Sequence, residues 1–256
     1  MPPPIIEVSN LGKDFRAGRA LVHALADVSF TVAEGQFVTL VGPSGCGKST
    51  LLQILAGLIG PTCGEARIDG KRVSAPMPDK IGMVFQDPTL LPWKTALANV
   101  EFPLDLRGVA RAARRERCSA LIELVGLRDF AEHYPHELSG GMRQRVAIAR
   151  GLAQDPRLIL MDEPFAALDE QTRTRMGHDL LAIWEKTRKT VFFITHSLTE
   201  AIYLSDVVMV MSPRPGRILE TIAIDFPRPR DLDIIGSEGF GRIRNRIWHL
   251  IAEAET

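Results

Sequence analysis

Apolar residues along this chain occur in short runs separated by glycine, proline and polar residues, which is the spacing of β-strands joined by turns. The earliest runs predict strands over residues 5–8, 21–25, 28–32 and 37–41. Their hairpin-like spacing predicts an antiparallel layer in front of a main sheet. Residues 66–68 and 81–85 are predicted as further strands.

The apolar spacing becomes helical over residues 95–155, which predicts a helical insertion between two strands. Breaks are expected near Pro103, Gly108, Gly126 and Pro135. The insertion also contains a basic cluster, formed by Arg107, Arg111, Arg114, Arg115 and Arg117. Such a cluster is typical of a solvated helix face, with contact to lipid or to a partner as the alternative.

Beyond the insertion, apolar runs predict strands over residues 158–161, 191–195, 207–211 and 218–224. A helix is predicted from about Asp169 to Lys186, and a terminal helix over residues 240–252. The segment 226–231, rich in proline and arginine, is expected to be a rigid basic connector. Strands that alternate with helices indicate the α/β class.

The composition is that of an ordinary soluble domain, because 45% of the 256 residues are apolar and 24% are charged. Thirty-one basic residues balance thirty-one acidic ones, so no overall field favours nucleic acid or anionic lipid as a partner. Cys46, Cys63 and Cys118 lack CxxC spacing, which argues against a disulfide framework and a zinc site. We therefore expect a reducing cytosol.

No secretion signal is expected, since residues 1–4 show no basic region followed by an apolar stretch. The longest apolar runs are far shorter than the ~20 residues of a membrane helix. If the protein acts at a membrane, a partner is expected to hold it there.

A glycine-rich loop follows the strand predicted at 37–41 and precedes a helical run. Its residues are Gly42, Pro43, Ser44, Gly45, Cys46, Gly47, Lys48, Ser49 and Thr50. Glycines let backbone N–H groups turn inward around an anion, and the helix N-terminus adds partial positive charge. Lys48 would reach the β- and γ-phosphates of a nucleoside triphosphate, and the Ser49 hydroxyl would ligate Mg²⁺. The alternative is that the glycines only mark a turn.

A second bare helix start is predicted where Ser139 offers an N-cap and Gly140 and Gly141 carry no side chains. It would be a second anion-binding helix end, one more than a single triphosphate loop requires. A simple structural cap is the alternative.

Asp162 and Glu163 follow a buried run, where parallel-sheet proteins place their ligands. Successive strand residues point in opposite directions, so the two carboxylates can divide their roles. Asp162 would hold Mg²⁺, and Glu163 would face the γ-phosphate and polarise an attacking water. An acidic pair at a helix start, with no metal, is the alternative.

Gln86 and His196 also follow predicted strands, so both are expected at the same sheet edge as Asp162. A Gln amide oxygen can bind a metal ion or water, whereas a lone histidine is usually structural. Phe15 lies between the first two predicted strands, where its ring could stack on a base or tuck against the sheet.

Taken in chain order, these strings resemble the ATPase subunits of ABC transporters: the glycine loop, Gln86, LSGGM, LILMDEP, ALD and His196. The resemblance covers nearly the whole chain. It implies a P-loop NTPase fold with a mixed core sheet, an N-terminal antiparallel β layer and an inserted helical subdomain. It also implies one ABC ATPase domain over residues 1–256, with a nucleotide-binding core (1–94 and 156–226), a helical signature subdomain (95–155) and a short tail helix (227–256).

The same resemblance implies a role for each matching residue. Residues 42–50 would be the Walker A loop that binds ATP with Mg²⁺, and Phe15 would stack on adenine. Ser49, Gln86 and Asp162 would be the metal ligands. The other implied roles are Gln86 as the Q-loop residue, Ser139 to Met142 as the signature, Asp162 as the Walker B aspartate, Glu163 as the general base, Asp169 as the D-loop aspartate and His196 as the switch histidine.

Members of this family pair head to tail, so the resemblance implies a second ATPase subunit whose signature covers the nucleotide. The segments 90–93, 211–216 and 226–231 are similar to importers of the nitrate, sulfonate and taurine group. That branch implies an integral permease, a periplasmic binding protein and a peripheral location on the cytoplasmic face of the bacterial inner membrane. No nucleic acid partner is expected.

Two positions depart from the family pattern. Met142 replaces the commonest Gln of the signature, and Ser197 replaces the Asp that often follows the switch histidine. Neither supplies the amides or imidazole that touch phosphate, so activity is expected to survive. The alternatives are an ABC ATPase of DNA repair or translation and a stand-alone P-loop kinase or GTPase. The single signature, the lack of heptads and the lack of an NKxD string argue against them.

Overall fold

A computed structural model describes residues 4–18 and 20–255. Residues 1–3, on which part of the prediction about a secretion signal depends, lie outside the described residues. The strands are β1 (Pro4–Ala17), β2 (Ala20–Ala33), β3 (Phe37–Val41), β4 (Cys63–Ile68), β5 (Lys71–Arg72), β6 (Ile81–Val84), β7 (Leu158–Asp162), β8 (Thr190–Ile194), β9 (Val207–Met211) and β10 (Ile218–Ala223). The helices are α1 (Lys48–Leu55), α2 (Ala96–Leu106), α3 (Arg111–Leu124), α4 (Gly140–Leu152), α5 (Glu170–Thr187), α6 (Leu198–Leu204) and α7 (Glu238–Ala254).

The chain forms two compact units. The first contains the residues up to Met77 and those from Thr190 onward, and the second contains Pro78–Lys189. Three of the sequence-predicted strands, at 5–8, 21–25 and 28–32, are wrong in extent, because the first unit has two long strands instead. β1 and β2 pair antiparallel with register shifts along β1, and these bulges interrupt the alternation that a sequence pattern reveals.

An antiparallel layer and a mixed sheet make up the β structure of the first unit. The layer has the strand order β2-β1-β4-β5. In the mixed sheet, β3 lies between the parallel neighbours β8 and β9, and β10 pairs antiparallel with β9. All five residues of β3 and of β8 are buried, as expected for parallel strands covered on both faces. The predicted α/β class, with a mixed sheet and an antiparallel layer, is confirmed.

Two features of the first unit add to the sequence predictions. Helix α6 was not predicted, because it has only seven residues and a period of 3.6 is hard to recognise over such a length. The segment 226–231, predicted as a rigid basic connector, is anchored by its arginines. Arg230 is buried, and Arg228 makes an ion pair with Asp206, so these arginines fix the segment to the unit.

The second unit carries the helical insertion as predicted, since α2, α3 and α4 lie in the chain between the parallel strands β6 and β7. Gly108 and Gly126 follow α2 and α3 with φ of +70°, which confirms two of the predicted breaks. The break predicted at Pro103 is wrong. Pro103 lies inside α2, in its last turn, where the missing N–H removes one helical hydrogen bond without ending the helix.

Candidate functional site

The glycine loop joins the buried strand β3 to helix α1 in the first unit. Gly47 has φ of +112°, and a Cβ there would lie 2.8 Å from the Ala24 carbonyl oxygen and from the Leu25 side chain. A Cβ at Gly42 would lie 2.7 Å from the Met211 carbonyl oxygen. The loop can therefore keep this path only with glycine at both positions.

Lys48 is the first residue of α1, and its side chain turns back into the loop. The ammonium is buried and donates hydrogen bonds to the carbonyl oxygens of Gly42 (2.8 Å) and Pro43 (2.9 Å). The N-cap Gly47 offers no side-chain cap, and the first turn of α1 has no acidic residue. The backbone N–H groups at this helix start and the Lys48 ammonium together form an arrangement that attracts a phosphate group.

Cys46 lies on the inner side of the loop. Its thiol is buried, and burial raises its pKa, an effect that the nearby Lys48 charge partly offsets. The Cys46 side chain therefore fills space behind the loop in its neutral form. Ser44, Gly45 and Ser49, by contrast, are exposed on the loop.

A second chain segment, residues 213–216, supports this loop, although its sequence indicated only the importer branch. The Arg214 guanidinium donates hydrogen bonds to the Gly45 carbonyl oxygen at 2.9 and 3.2 Å. Gly216 exchanges backbone hydrogen bonds with Ala24 and Ala26, and a Cβ there would clash with the Cys46 carbonyl oxygen. The PRPG string at 213–216 was the available signal, but nothing in it indicates contact with the loop.

His196 follows β8, which pairs in parallel with β3 so that Leu40 lies opposite Ile194. The glycine loop and His196 therefore leave neighbouring strands at the same end of the mixed sheet. His196 is exposed, and its chain neighbours hold its position: the Thr195 hydroxyl donates to the Glu200 carboxylate at 2.6 Å, and Ser197 caps α6.

Phe15 lies within β1, so its placement in a loop was wrong. The ring is 40% exposed, and the Lys13 ammonium lies 5.1 Å from the ring centroid. This partly exposed ring could stack on a planar group.

In the second unit, several predicted site residues face one cleft of about 720 Å³. Gln86, Asp162 and Gly140 line it, together with the side chain of Arg143. Gln86 follows β6, Asp162 ends β7 and Gly140 begins α4, so the cleft lies where two parallel strands end beside a helix start. The Gln86 amide and the Asp162 carboxylate therefore share the cleft with the start of α4, where backbone N–H groups are available as donors.

Glu163 directly follows β7 with φ of +43°, a left-handed conformation that is uncommon for a residue with a side chain. Such backbone strain persists only where the surroundings enforce it, and it is often found at functional positions. Asp169 caps α5 by accepting a hydrogen bond from the Thr172 N–H at 3.0 Å, and this bond lowers the pKa of the Asp169 carboxyl.

Ser139 is the N-cap of α4, as predicted, because its hydroxyl accepts a hydrogen bond from the Met142 N–H at 3.3 Å. The same helix holds the segment after Gln86. Arg150 donates to the carbonyl oxygens of Pro88 (2.7 Å) and Thr89 (2.9 Å). A displacement of α4 would therefore be transmitted to this segment.

Among residues 4–18 and 20–255, no group of three or more His, Cys, Asp or Glu side chains could hold a metal ion. A divalent cation would have to draw ligands from single side chains and from a bound phosphate, which is how Mg²⁺ usually binds. The Ser49 hydroxyl in the first unit and the Gln86 amide and Asp162 carboxylate in the second unit are each hard oxygen donors, the kind of ligand that this ion prefers. No helix in the described part of the chain combines the length and apolar character needed to span a bilayer.

Comparison with known proteins identifies the family of this chain. A family model described as "ABC transporter" matches residues 25–166. An uncharacterized ABC transporter ATP-binding protein of Methanocaldococcus jannaschii is 54% identical over 88% of this chain and 84% of its own. The taurine import ATP-binding protein of Rhizobium johnstonii is 53% identical over 83% of this chain and 80% of its own.

A solved structure extends the comparison. It is a dimeric, post-hydrolysis ATP-binding cassette bound to ADP and Pi, with a TM-score of 0.76 and 35% identity, and the match covers 87% of this chain and all of that one. The chain therefore belongs to the ABC transporter family as an ATP-binding subunit, an ATPase coupled to transport.

Proposed function

We propose that this chain binds and hydrolyses ATP in a head-to-tail pair of subunits. Hydrolysis would energise uptake of a small anion, such as nitrate, a sulfonate or taurine, through a separate integral permease. The two compact units would act as one ATPase domain with the core, helical and tail segments defined above. The observation that carries this proposal is the buried Lys48 ammonium inside a glycine loop at a helix start that has no side-chain cap.

In this proposal, loop residues 42–50 bind the triphosphate through backbone N–H groups and Lys48, and Phe15 stacks on the adenine. Support for the second role comes from the exposed ring of Phe15. His196 would donate to the terminal phosphate, because it leaves the strand next to the one that carries the loop.

Ser49, Gln86 and Asp162 would hold Mg²⁺. The ion would neutralise negative charge on the phosphates. Glu163 would orient the attacking water and accept its proton, which typically contributes ~10² to 10⁴ in rate. Support for this assignment comes from the strained backbone of Glu163 directly after the strand that ends in Asp162.

Ser139, Gly140 and Gly141 would contact the nucleotide held by the loop of the second subunit, and Asp169 would lie at the contact between subunits. The start of α4, where Gly140 and Gly141 carry no side chains, is a further helix end that a single nucleotide site would leave without use. A homodimer is proposed, supported by the dimeric solved structure that resembles this chain.

The permease would dock on the second unit. A groove of about 510 Å³ lies there, mainly apolar, with Phe85, Leu91, Phe102 and Leu106 among its lining residues. Trp93 and Leu106 are 71% and 73% exposed, which is unusual for large apolar side chains that have no partner. The Arg150 contacts with Pro88 and Thr89 would connect this groove to the nucleotide.

The importer assignment is supported by the taurine import relative. A periplasmic binding protein would deliver the cargo, and this chain would lie peripherally on the cytoplasmic face of the bacterial inner membrane. The cargo itself would be selected by the binding protein and the permease.

The test is the rate of ATP hydrolysis by the Glu163→Gln variant. We expect ATP binding close to the wild-type level and hydrolysis reduced by ~10² or more. The matched control is Glu116→Gln, which changes an exposed carboxylate on α3 in the same unit and should hydrolyse ATP normally. Hydrolysis by Glu163→Gln at the wild-type rate would show that the base is assigned wrongly.

The transport part of the proposal has its own test. The tagged chain, purified from gently solubilised membranes of its native cells, should carry an integral membrane protein with it. Substitution of the exposed residues Trp93 and Leu106 by Ser should release that protein while ATP binding stays unchanged. If the wild-type chain brings down no membrane protein, the transport assignment fails and the ATPase assignment is unaffected.

A further inference from the structure

Two arginines of the segment between β10 and α7 reach the C-terminal end of α6. Arg230 Nη1 donates at 3.2, 2.9 and 2.8 Å to the carbonyl oxygens of Ile202, Tyr203 and Ser205. Arg228 Nη2 donates to the remaining carbonyl oxygen in this stretch, that of Leu204, at 2.7 Å. Carbonyl groups at the end of a helix lack hydrogen-bond donors within the helix. Here four consecutive ones accept hydrogen bonds from guanidinium groups.

Arg230 is a buried side chain, only 3% exposed. Its Nη2 also donates to the carbonyl oxygens of Ile224 (3.2 Å) and Phe226 (3.3 Å). Removing a guanidinium from water costs several kcal/mol unless hydrogen bonds and opposite charge compensate it. Here the compensation includes several carbonyl groups and the partial negative charge of the helix C-terminus. A segment that only joined β10 to α7 would not need a buried charge.

The other end of α6 determines the position of His196. Ser197 caps the helix by accepting a hydrogen bond from the Glu200 N–H at 3.3 Å. The Ser197 N–H in turn donates to the Thr195 hydroxyl at 3.0 Å, and that hydroxyl donates to the Glu200 carboxylate at 2.6 Å. His196 lies between these two residues in the chain. Its backbone is therefore fixed by the first turn of α6.

A helix of seven residues is too short to be stable without tertiary contacts, which here include those at its C-terminal end. Loss of the contacts at the C-terminal end of α6 would loosen the first turn as well, and with it the segment 195–197. The contacts of Arg228 and Arg230 with the C-terminal end of α6, called the clamp from here on, are also joined to β3, which leads into the glycine loop. Arg228 pairs with Asp206, and the second carboxylate oxygen of Asp206 accepts a hydrogen bond from the Phe37 N–H at 2.9 Å.

We propose that Arg230 is a positioning residue for ATP hydrolysis, which acts by holding the C-terminal end of α6 and thereby setting the position of His196. The inference rests on the proposed function, in which His196 acts at the terminal phosphate. Arg230 contacts backbone carbonyl groups and does not touch the nucleotide. Its loss should therefore lower kcat and leave ATP affinity nearly unchanged.

The first measurement compares kcat and the ATP dissociation constant for Arg230→Met, Arg230→Lys and the wild type. Arg230→Met should lower kcat by about tenfold or more, because small displacements of a reacting group can cost up to ~10²-fold. Its ATP dissociation constant should stay within about twofold of the wild type. Arg230→Lys should recover only part of kcat, since an ammonium cannot match the planar fork of donors. Arg244→Met, on the exposed face of α7, is the control and should behave as the wild type.

A double-mutant cycle tests whether the effect passes through His196. If it does, the double variant His196→Ala/Arg230→Met should have the same kcat as His196→Ala alone. If the two effects multiply instead, Arg230 does not act through His196 and the proposal is overturned. A value of kcat for folded Arg230→Met within twofold of the wild type would also overturn it.

If Arg230→Met does not fold, Tyr203→Phe takes its place. The Tyr203 hydroxyl donates to the Arg230 carbonyl oxygen at 3.0 Å, so this variant loosens the clamp with almost no change in volume. Amide hydrogen exchange should then increase in residues 197–205 but not in β3, and kcat should fall about twofold or more. Unchanged exchange and unchanged kcat would contradict the proposal. If the wild type itself does not hydrolyse ATP, the proposed function fails before this inference is reached.

Discussion

The Lys48 ammonium lies 2.8 Å from the carbonyl oxygen of Gly42, so the cation of the glycine loop is held by the first residue of the same loop. The bond keeps a buried charge satisfied at a helix start that has no side-chain cap. The lysine is thus kept in the loop by two carbonyl groups of the loop, those of Gly42 and Pro43. A phosphate that binds here meets a cation that is already in place.

Replacement of this lysine should weaken nucleotide binding strongly. A hydrogen bond to a charged group contributes about 1.5–3 kcal/mol, so Lys48→Met should raise the ATP dissociation constant by roughly ten- to a hundredfold. Titration with a fluorescent ATP analogue measures this change. The control is Lys71→Met, which alters an exposed lysine of β5 and should leave the dissociation constant unchanged. Equal affinity of Lys48→Met and the wild type would exclude the loop as the phosphate site.

Ser139 is expected both to cap α4 and to contact the nucleotide of the partner subunit. Comparison with Ser237, which only caps a helix, separates these two roles. Each serine caps a helix: Ser139 caps α4 and Ser237 caps α7, where its hydroxyl accepts a hydrogen bond from the Phe240 N–H at 3.2 Å. Replacement of either cap by alanine should cost ~1 kcal/mol in the free energy of unfolding. Only Ser139→Ala should also lower kcat for ATP, because only this helix start would contact the nucleotide of the partner subunit. Parallel unfolding and ATPase assays make the comparison, and an equal kcat for the two variants would leave Ser139 as a structural cap only.

Ionisation of the Cys118 thiol should lower the free energy of unfolding at alkaline pH. Burial is the main cause that raises the pKa of its thiol from 9.0 to about 11. The folded state therefore keeps this proton in a range where the unfolded state loses it. The contribution of the neutral thiol to stability is complete below pH 9 and is lost as the pH rises to about 11, at up to ~1.4 kcal/mol per pH unit.

The measurement is chemical unfolding of the wild type and of Cys118→Ala from pH 8 to pH 11. The alanine variant should be less stable at pH 8, because a buried side chain is shortened. The difference between the two free energies of unfolding should shrink as the pH rises. A difference that stays constant over this range would contradict the raised pKa.

Sequence patterns predicted strands reliably where a strand is regular and almost completely buried. The runs around β3, β7, β8 and β9 are almost wholly apolar, and the structure has strands there within a residue or two of the prediction. The cap Ser139 was also predicted, because an N-cap depends on the local sequence alone. The class of the fold follows from these elements.

What could not be predicted depends on contacts between distant parts of the chain. The bulges of β1 and β2 are set by the pairing of the two strands, so the sequence showed three short strands and placed Phe15 in a loop. Arg230 lies among prolines in the sequence, and its burial depends on distant partners such as the carbonyl group of Tyr203, 27 residues away in α6. Arg214 reaches Gly45, which is 169 residues away in the sequence. Neither arginine has a local pattern that reveals its partner.

The central claim is that ATP is bound between the glycine loop of one subunit and the Ser139 helix start of the other. The most direct measurement is sedimentation equilibrium of Glu163→Gln with and without Mg-ATP. The account predicts the 28.3 kDa monomer without nucleotide and twice that mass with Mg-ATP. The double variant Glu163→Gln/Ser139→Arg places a large charged side chain at the start of α4. It should abolish the dimer, while the loop still binds ATP. A chain that binds Mg-ATP tightly and remains at the monomer mass in the Glu163→Gln background would contradict the claim.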